Sequence, residues 1–105
     1  MKPLLTLIFA VACASAALAQ GAASVCGRVT DASTGERIDF ADVIVTDDDN
    51  ATVASTTVRE GRFAIDRVRE GEYTLSILLV GYQPYNKRLR FRNGERIDLG
   101  DIPLS

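Results

Sequence analysis

The chain has 105 residues, 47% hydrophobic and 25% charged, with a formal net charge of -2 and no histidine. That length accommodates one modest core and excludes a multidomain enzyme with a deep, enclosed site. The missing histidine excludes Ser-His-Asp and Cys-His catalysis, imidazole general-base chemistry and histidine-bearing zinc sites.

The first 19 residues have to be set apart before composition is read as fold. Lys2 is their only charge, the apolar run Leu4 to Val11 follows, and small residues lead to Ala17-Leu18-Ala19 ahead of Gln20. This is the layout of a secretory signal peptide over residues 1–19, with cleavage expected between Ala19 and Gln20. The apolar stretch fades into alanines and falls short of the roughly 20 residues that a membrane-spanning helix needs. A competing site is Ala10-Val11-Ala12-Cys13, where cleavage before Cys13 would give a lipid-anchored product, although the usual leucine three positions earlier is absent. Export to the periplasm or the cell surface is expected in either case. Cleavage after Ala19 leaves Cys26 as the single cysteine, so no internal disulfide can form. Cys26 is then a small side chain on a strand, with pairing to another chain as the alternative.

From Ala22 to Ser105 the chain reads as one domain of short β-branched or alternating runs, separated every 8 to 12 residues by Gly, Asp or Asn clusters. No segment carries a 3.6-residue period. In the first run Val25, Gly27 and Val29 face inward, while Cys26, Arg28 and Thr30 face outward. Asp31 to Glu36 is a turn. Ile38 to Thr46 places Phe40, Val43 and Val45 inward, with alternation broken near Ala41 and Asp42 as a β-bulge would break it. Asp47 to Asn50 closes that strand, and Ala51 to Val58 forms the next, ending at a Glu60-Gly61 turn. Phe63 and Ile65 continue the inward face. After Gly71, Tyr73, Leu75 and Ile77 alternate with Thr74, Ser76 and Leu78 in what should be a central strand. Leu89 and Phe91 alternate with Arg88, Arg90 and Arg92, and after Asn93-Gly94 a last strand carries Ile97, Leu99, Ile102 and Leu104.

The order Gly27-Arg28-Val29-Thr30-Asp31, Thr34-Gly35-Glu36, Phe40-Ala41-Asp42-Val43, Gly61-Arg62-Phe63, Gly71-Glu72-Tyr73-Thr74-Leu75 and Gly81-Tyr82 resembles the carboxypeptidase regulatory-like domain. The resemblance spans nearly all of the chain after the signal peptide. It implies an all-β fold: a seven-stranded antiparallel Greek-key β-sandwich of the transthyretin (prealbumin-like, Ig-like) kind. It departs from the family where Arg69 and Glu70 replace prolines before Gly71. Domains of this family stand behind metallocarboxypeptidase catalytic domains and at the start of TonB-dependent outer-membrane receptors of Bacteroidetes-type bacteria. The resemblance implies an accessory module and brings over no catalytic residue. Gly71 and Gly81 are expected in turns or bulges, and Tyr73 and Tyr82 in the core with their hydroxyls on backbone partners.

Three sets of residues are candidates for function. Asp47, Asp48, Asp49 and Asn50 gather oxygens, but not in the alternate spacing of a calcium loop, so a solvated hairpin tip is expected and no metal or cofactor is assigned. Arg88, Arg90 and Arg92 form a basic row suited to carboxylate, phosphate or anionic glycan, with cross-strand pairing to Asp or Glu as the alternative. Asp39, Asp42, Asp66, Glu70 and Glu72 offer carboxylates without a spacing that selects an acid-base pair. No catalytic residue is therefore assigned and no enzymatic activity is expected. Nucleic acid is a poor partner for an exported chain of negative charge. Two readings follow: a module making protein-protein contacts in the cell envelope, through its edge strands, with another envelope or outer-membrane protein; or a glycan- or small-anion-binding module using Arg88, Arg90 and Arg92.

Overall fold

Alternation of buried and exposed side chains runs through the computed structural model, which describes residues 22–105. The expected signal peptide, the expected cleavage site between Ala19 and Gln20, and Cys13 lie outside the described residues. Seven strands follow in order: β1 (Ala23–Asp31), β2 (Asp42–Thr46), β3 (Thr52–Thr57), β4 (Arg62–Val68), β5 (Gly71–Leu78), β6 (Tyr85–Phe91) and β7 (Arg96–Leu104). They form a three-stranded sheet, β4-β1-β7, and a four-stranded sheet, β3-β2-β5-β6, in which β5 is internal as expected. Every neighbouring pair is antiparallel except β1 and β7, which run parallel. The uniformly antiparallel expectation fails there because β7 returns to β1 only after the chain has crossed the other sheet, and a crossover permits parallel pairing.

The core lies between the sheets. Val25, Val29, Phe63, Ile65, Ile102 and Leu104 from one inner face meet Val43, Val45, Leu75, Ile77, Leu89 and Phe91 from the other, all buried. Each large side chain removed from water contributes about 1.5–3 kcal/mol, so this contact is the main stabilising term. Gly27 has a packing reason. It stands opposite Phe63, and a Cβ there would lie 2.9 Å from the Phe63 ring and 3.3 Å from Ile102. The missing side chain leaves the space that the ring fills.

Two irregularities move residues away from their expected places. Ile38, Ala41, Val43 and Val45 are buried, whereas Phe40 is 76% exposed with φ +68°. The break in alternation is a β-bulge one residue earlier than expected: left-handed Phe40 and Ala41 together oppose Val58, so Phe40 turns out while Ala41 turns in. Neighbouring bonds fix it: Phe40 N–H donates to the Val58 carbonyl, Val58 N–H to the Ala41 carbonyl, and Gly61 N–H to Asp39 Oδ1, each at 2.8 Å. In β7 the inward set shifts from Ile97 and Leu99 to Ile102 and Leu104. Cys26 pairs with Asp98 but Arg28 with Asp101, so one residue of β1 opposes two of β7. Gly100, with φ +68°, provides that bulge.

The far end of the sandwich is clasped by Tyr82. Its hydroxyl donates to Asp31 Oδ2 at 2.7 Å, a side-chain partner and not the expected backbone one. Asp31 Oδ1 accepts from the Ser33 and Thr34 amides at 2.8 and 3.1 Å. Gln83 N–H donates to the Ser105 carbonyl at 2.7 Å, joining the β5–β6 loop to the end of β7. The Tyr82 hydroxyl, then the two amides, hold the Asp31 carboxyl below its ordinary range. The same bond, then burial, raises the Tyr82 phenol above its ordinary value.

Two outcomes are expected. Gly27→Val lowers stability by about 1–3 kcal/mol through overpacking against Phe63, read as a lower urea midpoint at unchanged m-value. For the clasp, a depressed carboxyl stabilises the fold above its unfolded value and loses this as pH falls through the folded value; a raised phenol does so below its unfolded value and loses it as pH rises. Wild-type urea midpoints should thus fall below about pH 4 and above about pH 10, and Tyr82→Phe should flatten both limbs while lowering the plateau.

Candidate functional site

The basic row lies on β6, an edge of the four-stranded sheet. Alternation sends Leu89 and Phe91 into the core and leaves Arg88 and Arg90 outside, while Arg92 falls just beyond the strand. Glu72 of β5 stands directly opposite Arg90, and Thr74 opposite Arg88. The Arg88 Nη2 group is 2.6 Å from Asp48 Oδ1 and 3.2 Å from Glu72 Oε2; Arg90 Nη1 is 3.7 Å from Glu72 Oε1. Asp48 first, then Glu72, raise the Arg88 guanidinium further above its ordinary value. The side chains are exposed, so each pair adds little to stability, but together they place two carboxylates against the row. The Arg92 N–H donates to Glu95 Oε1 at 3.1 Å, bracing the turn into β7.

The acidic tip at Asp47 to Asn50 is built as a hairpin turn. Asp47 Oδ1 accepts from the Asp49 and Ala51 amides at 2.9 and 3.0 Å, and Asn50 takes φ +61°. One of its oxygens is thus bound to backbone, and Asp48 reaches Arg88. Cys26 is exposed on the outer face of β1 between Ala64 and Asp98, as its outward phase requires. The five candidate carboxylates are dispersed. Asp39 holds the Gly61 amide, Asp42 begins β2, Asp66 is on β4, Glu70 lies in the corner between β4 and β5, and Glu72 meets the arginines. Among the described residues no polar or charged side chain is buried, and a carboxylic acid tuned for proton transfer needs burial or a close like charge.

The strand reading missed an apolar end. Phe40 precedes Asp42 by two residues, and Val80 follows Leu78, its cross-strand partner, by two. Both therefore sit at one end of the four-stranded sheet, with Phe40 76%, Leu78 38% and Val80 98% exposed. The Leu78-Leu79-Val80 run, longer than the alternating pattern can bury, was the available signal. Phe40 gave none, because an apolar residue beside a strand counts as inward until a positive φ turns it out.

No curated protein matches the chain. Among solved structures, the Bacillus anthracis TIE protein matches at TM-score 0.62 and 17% identity, over 80% of this chain and 16% of that one. The minor pilin GBS52 of Streptococcus agalactiae matches at 0.57 and 12%, over 80% and 43%, and the group B streptococcus pilus 2b backbone protein at 0.54 and 14%, over 77% and 40%. The chain thus spans less than half the length of each, and at these identities the likeness is one of fold. The carboxypeptidase regulatory-like domain model matches residues 24–105, and the chain belongs to that family.

Proposed function

We propose that this chain is an exported, non-catalytic β-sandwich module of a bacterial cell envelope that acts by contact with another envelope or outer-membrane protein. The observation that carries this reading is the end bearing Phe40, Leu78 and Val80. A left-handed backbone costs a residue other than glycine about 1–2 kcal/mol, and here it turns an aromatic ring to solvent beside a nearly fully exposed valine. Exposed apolar groups gathered at one end mark a contact surface in a stable domain. The signal-peptide pattern supports export, and the family supports an accessory role. The glycan or small-anion reading through Arg88, Arg90 and Arg92 is less favoured, because Asp48 and Glu72 already stand within 3.7 Å of its first two arginines.

Crosslinking of the tagged protein in its native envelope, with mass spectrometry of partners and of the protein's own N-terminus, tests this. One dominant envelope partner is expected, with the mature chain starting at Gln20. Phe40→Gly should raise stability by about 1 kcal/mol, by relieving the left-handed strain, while reducing partner capture. Val80→Asp should reduce capture at unchanged stability, and Arg88→Ala with Arg90→Ala should leave it intact. Capture that survives both apolar-end variants, or is lost only with the arginine pair, would overturn the assignment.

A further inference from the structure

β3 and β4 run beside each other along one side of the sandwich. Each is an edge strand of its sheet, and a groove of about 650 Å³ lies between them, lined by Ser55, Thr57, Arg59, Arg62 and Ala64, with Asp42 at its wall. One bond on each side fixes the phase of the backbone. Val29 N–H donates to the Gly61 carbonyl at 2.8 Å, and bonded and non-bonded pairs alternate along an antiparallel ladder. Cys26 and Ala64 are therefore a non-bonded pair, and the N–H and carbonyl of Ala64 point away from β1 toward the groove. Val58 N–H donates to the Ala41 carbonyl in the same way. Ser55 and Thr57, partners of Ile44 and Asp42, thus also turn their backbone groups toward the groove. No backbone hydrogen bond joins the two walls among the described residues outside the turn at their end.

The charges at that turn indicate what enters. Glu60 and Gly61, with φ +52° and +75°, make the tight two-residue turn whose flanking residues are Arg59 and Arg62. These two exchange backbone bonds at 2.9 Å in both directions, so their side chains share one face. Arg62 also stands opposite Arg28. Arg28 is held by Asp101 at 2.7 Å, whereas neither Arg59 nor Arg62 has an ion-pair partner among the described residues. Like charges directly opposed on a sheet are destabilising. An anion supplied from outside would relieve the cluster, with Asp42 the one carboxylate in the groove wall against it.

We propose that the groove between β3 and β4 binds an extended acidic peptide segment of a partner protein by strand addition. The segment ladders onto the β4 edge at Ala64, faces Ser55 and Thr57 across the groove, and sets its carboxylates against Arg59 and Arg62. This goes beyond the contact at the apolar end and uses different residues, so either can fail alone.

The probe is a capped peptide alternating threonine with glutamate, titrated into the isotope-labelled protein. It should shift the Ser55 and Thr57 amides and protect the Ala64 amide from hydrogen exchange, while the same peptide with lysine for glutamate should not bind. Arg59→Glu with Arg62→Glu should weaken binding by roughly tenfold or more. Ala64→Pro, whose lost N–H takes no part in the β1–β4 ladder, should remove it. Val80→Asp and Arg88→Glu should leave it unchanged. Absence of binding, equal binding of the lysine peptide, or affinity indifferent to the Arg59 and Arg62 reversal would each overturn the proposal.

Discussion

Apolar contact between the two inner faces is the constraint on which the rest of this sandwich depends. Among the described residues Cys26 is the single cysteine and no polar side chain is buried, so neither a disulfide nor an interior hydrogen-bond network shares the load. The fit at the centre of the three-stranded sheet is tight enough that β1 has no side chain where Phe63 lies over Gly27. Among the described residues the buried core consists of alanine, valine, isoleucine, leucine and two phenylalanines. On the proposed reading, recognition falls to edges, turns and ends.

Those turns are held by a few polar residues with defined tasks. Asp39 receives the Gly61 amide, Asp31 receives the Tyr82 hydroxyl, and Asp47 caps its own hairpin. Each carboxylate satisfies donors that would otherwise be left at a strand end. Asp39 and Asp47 lie beside the left-handed residues Phe40 and Asn50, so the bonds and the unusual backbone support one another. The same economy explains why a list of acidic residues read as candidate acids or ligands yields mostly structural roles.

The strands and their inward faces were largely legible, because period-two alternation in Val25 to Val29, Tyr73 to Ile77 and Leu89 to Phe91 has one physical meaning. The resemblance supplied the two-sheet architecture. What escaped lies in the third dimension or in single backbone angles. The parallel β1–β7 pair depends on which sheet the chain re-enters, and local pattern is silent on that. The bulge at Gly100 was readable in principle, since the inward residues change parity between Leu99 and Ile102. Phe40 was assigned inward because hydrophobicity is a property of the side chain, whereas its direction is set by φ. That Arg88 and Arg90 meet carboxylates was legible as a residue class; the register adds Glu72, opposite Arg90, and the β2–β3 hairpin adds Asp48.

The two groups of arginine show why spacing alone does not identify a binding site. Arg88 and Arg90 alternate along a strand and look like a binding row, yet the register sets Glu72 opposite Arg90 and diagonal to Arg88, and the β2–β3 hairpin brings Asp48 to Arg88. Arg59 and Arg62 are two arginines flanking a turn with no spacing that marks them as a row, and the fold sets them together with Arg28 while giving only Arg28 a counter-ion. An ion pair already made within the molecule must be broken before an external anion can replace it, whereas an unpaired guanidinium beside unpaired backbone has nothing to give up. On the proposed reading, that difference in what must be surrendered on binding, more than the number of charges on a face, decides where a partner would gain most by docking.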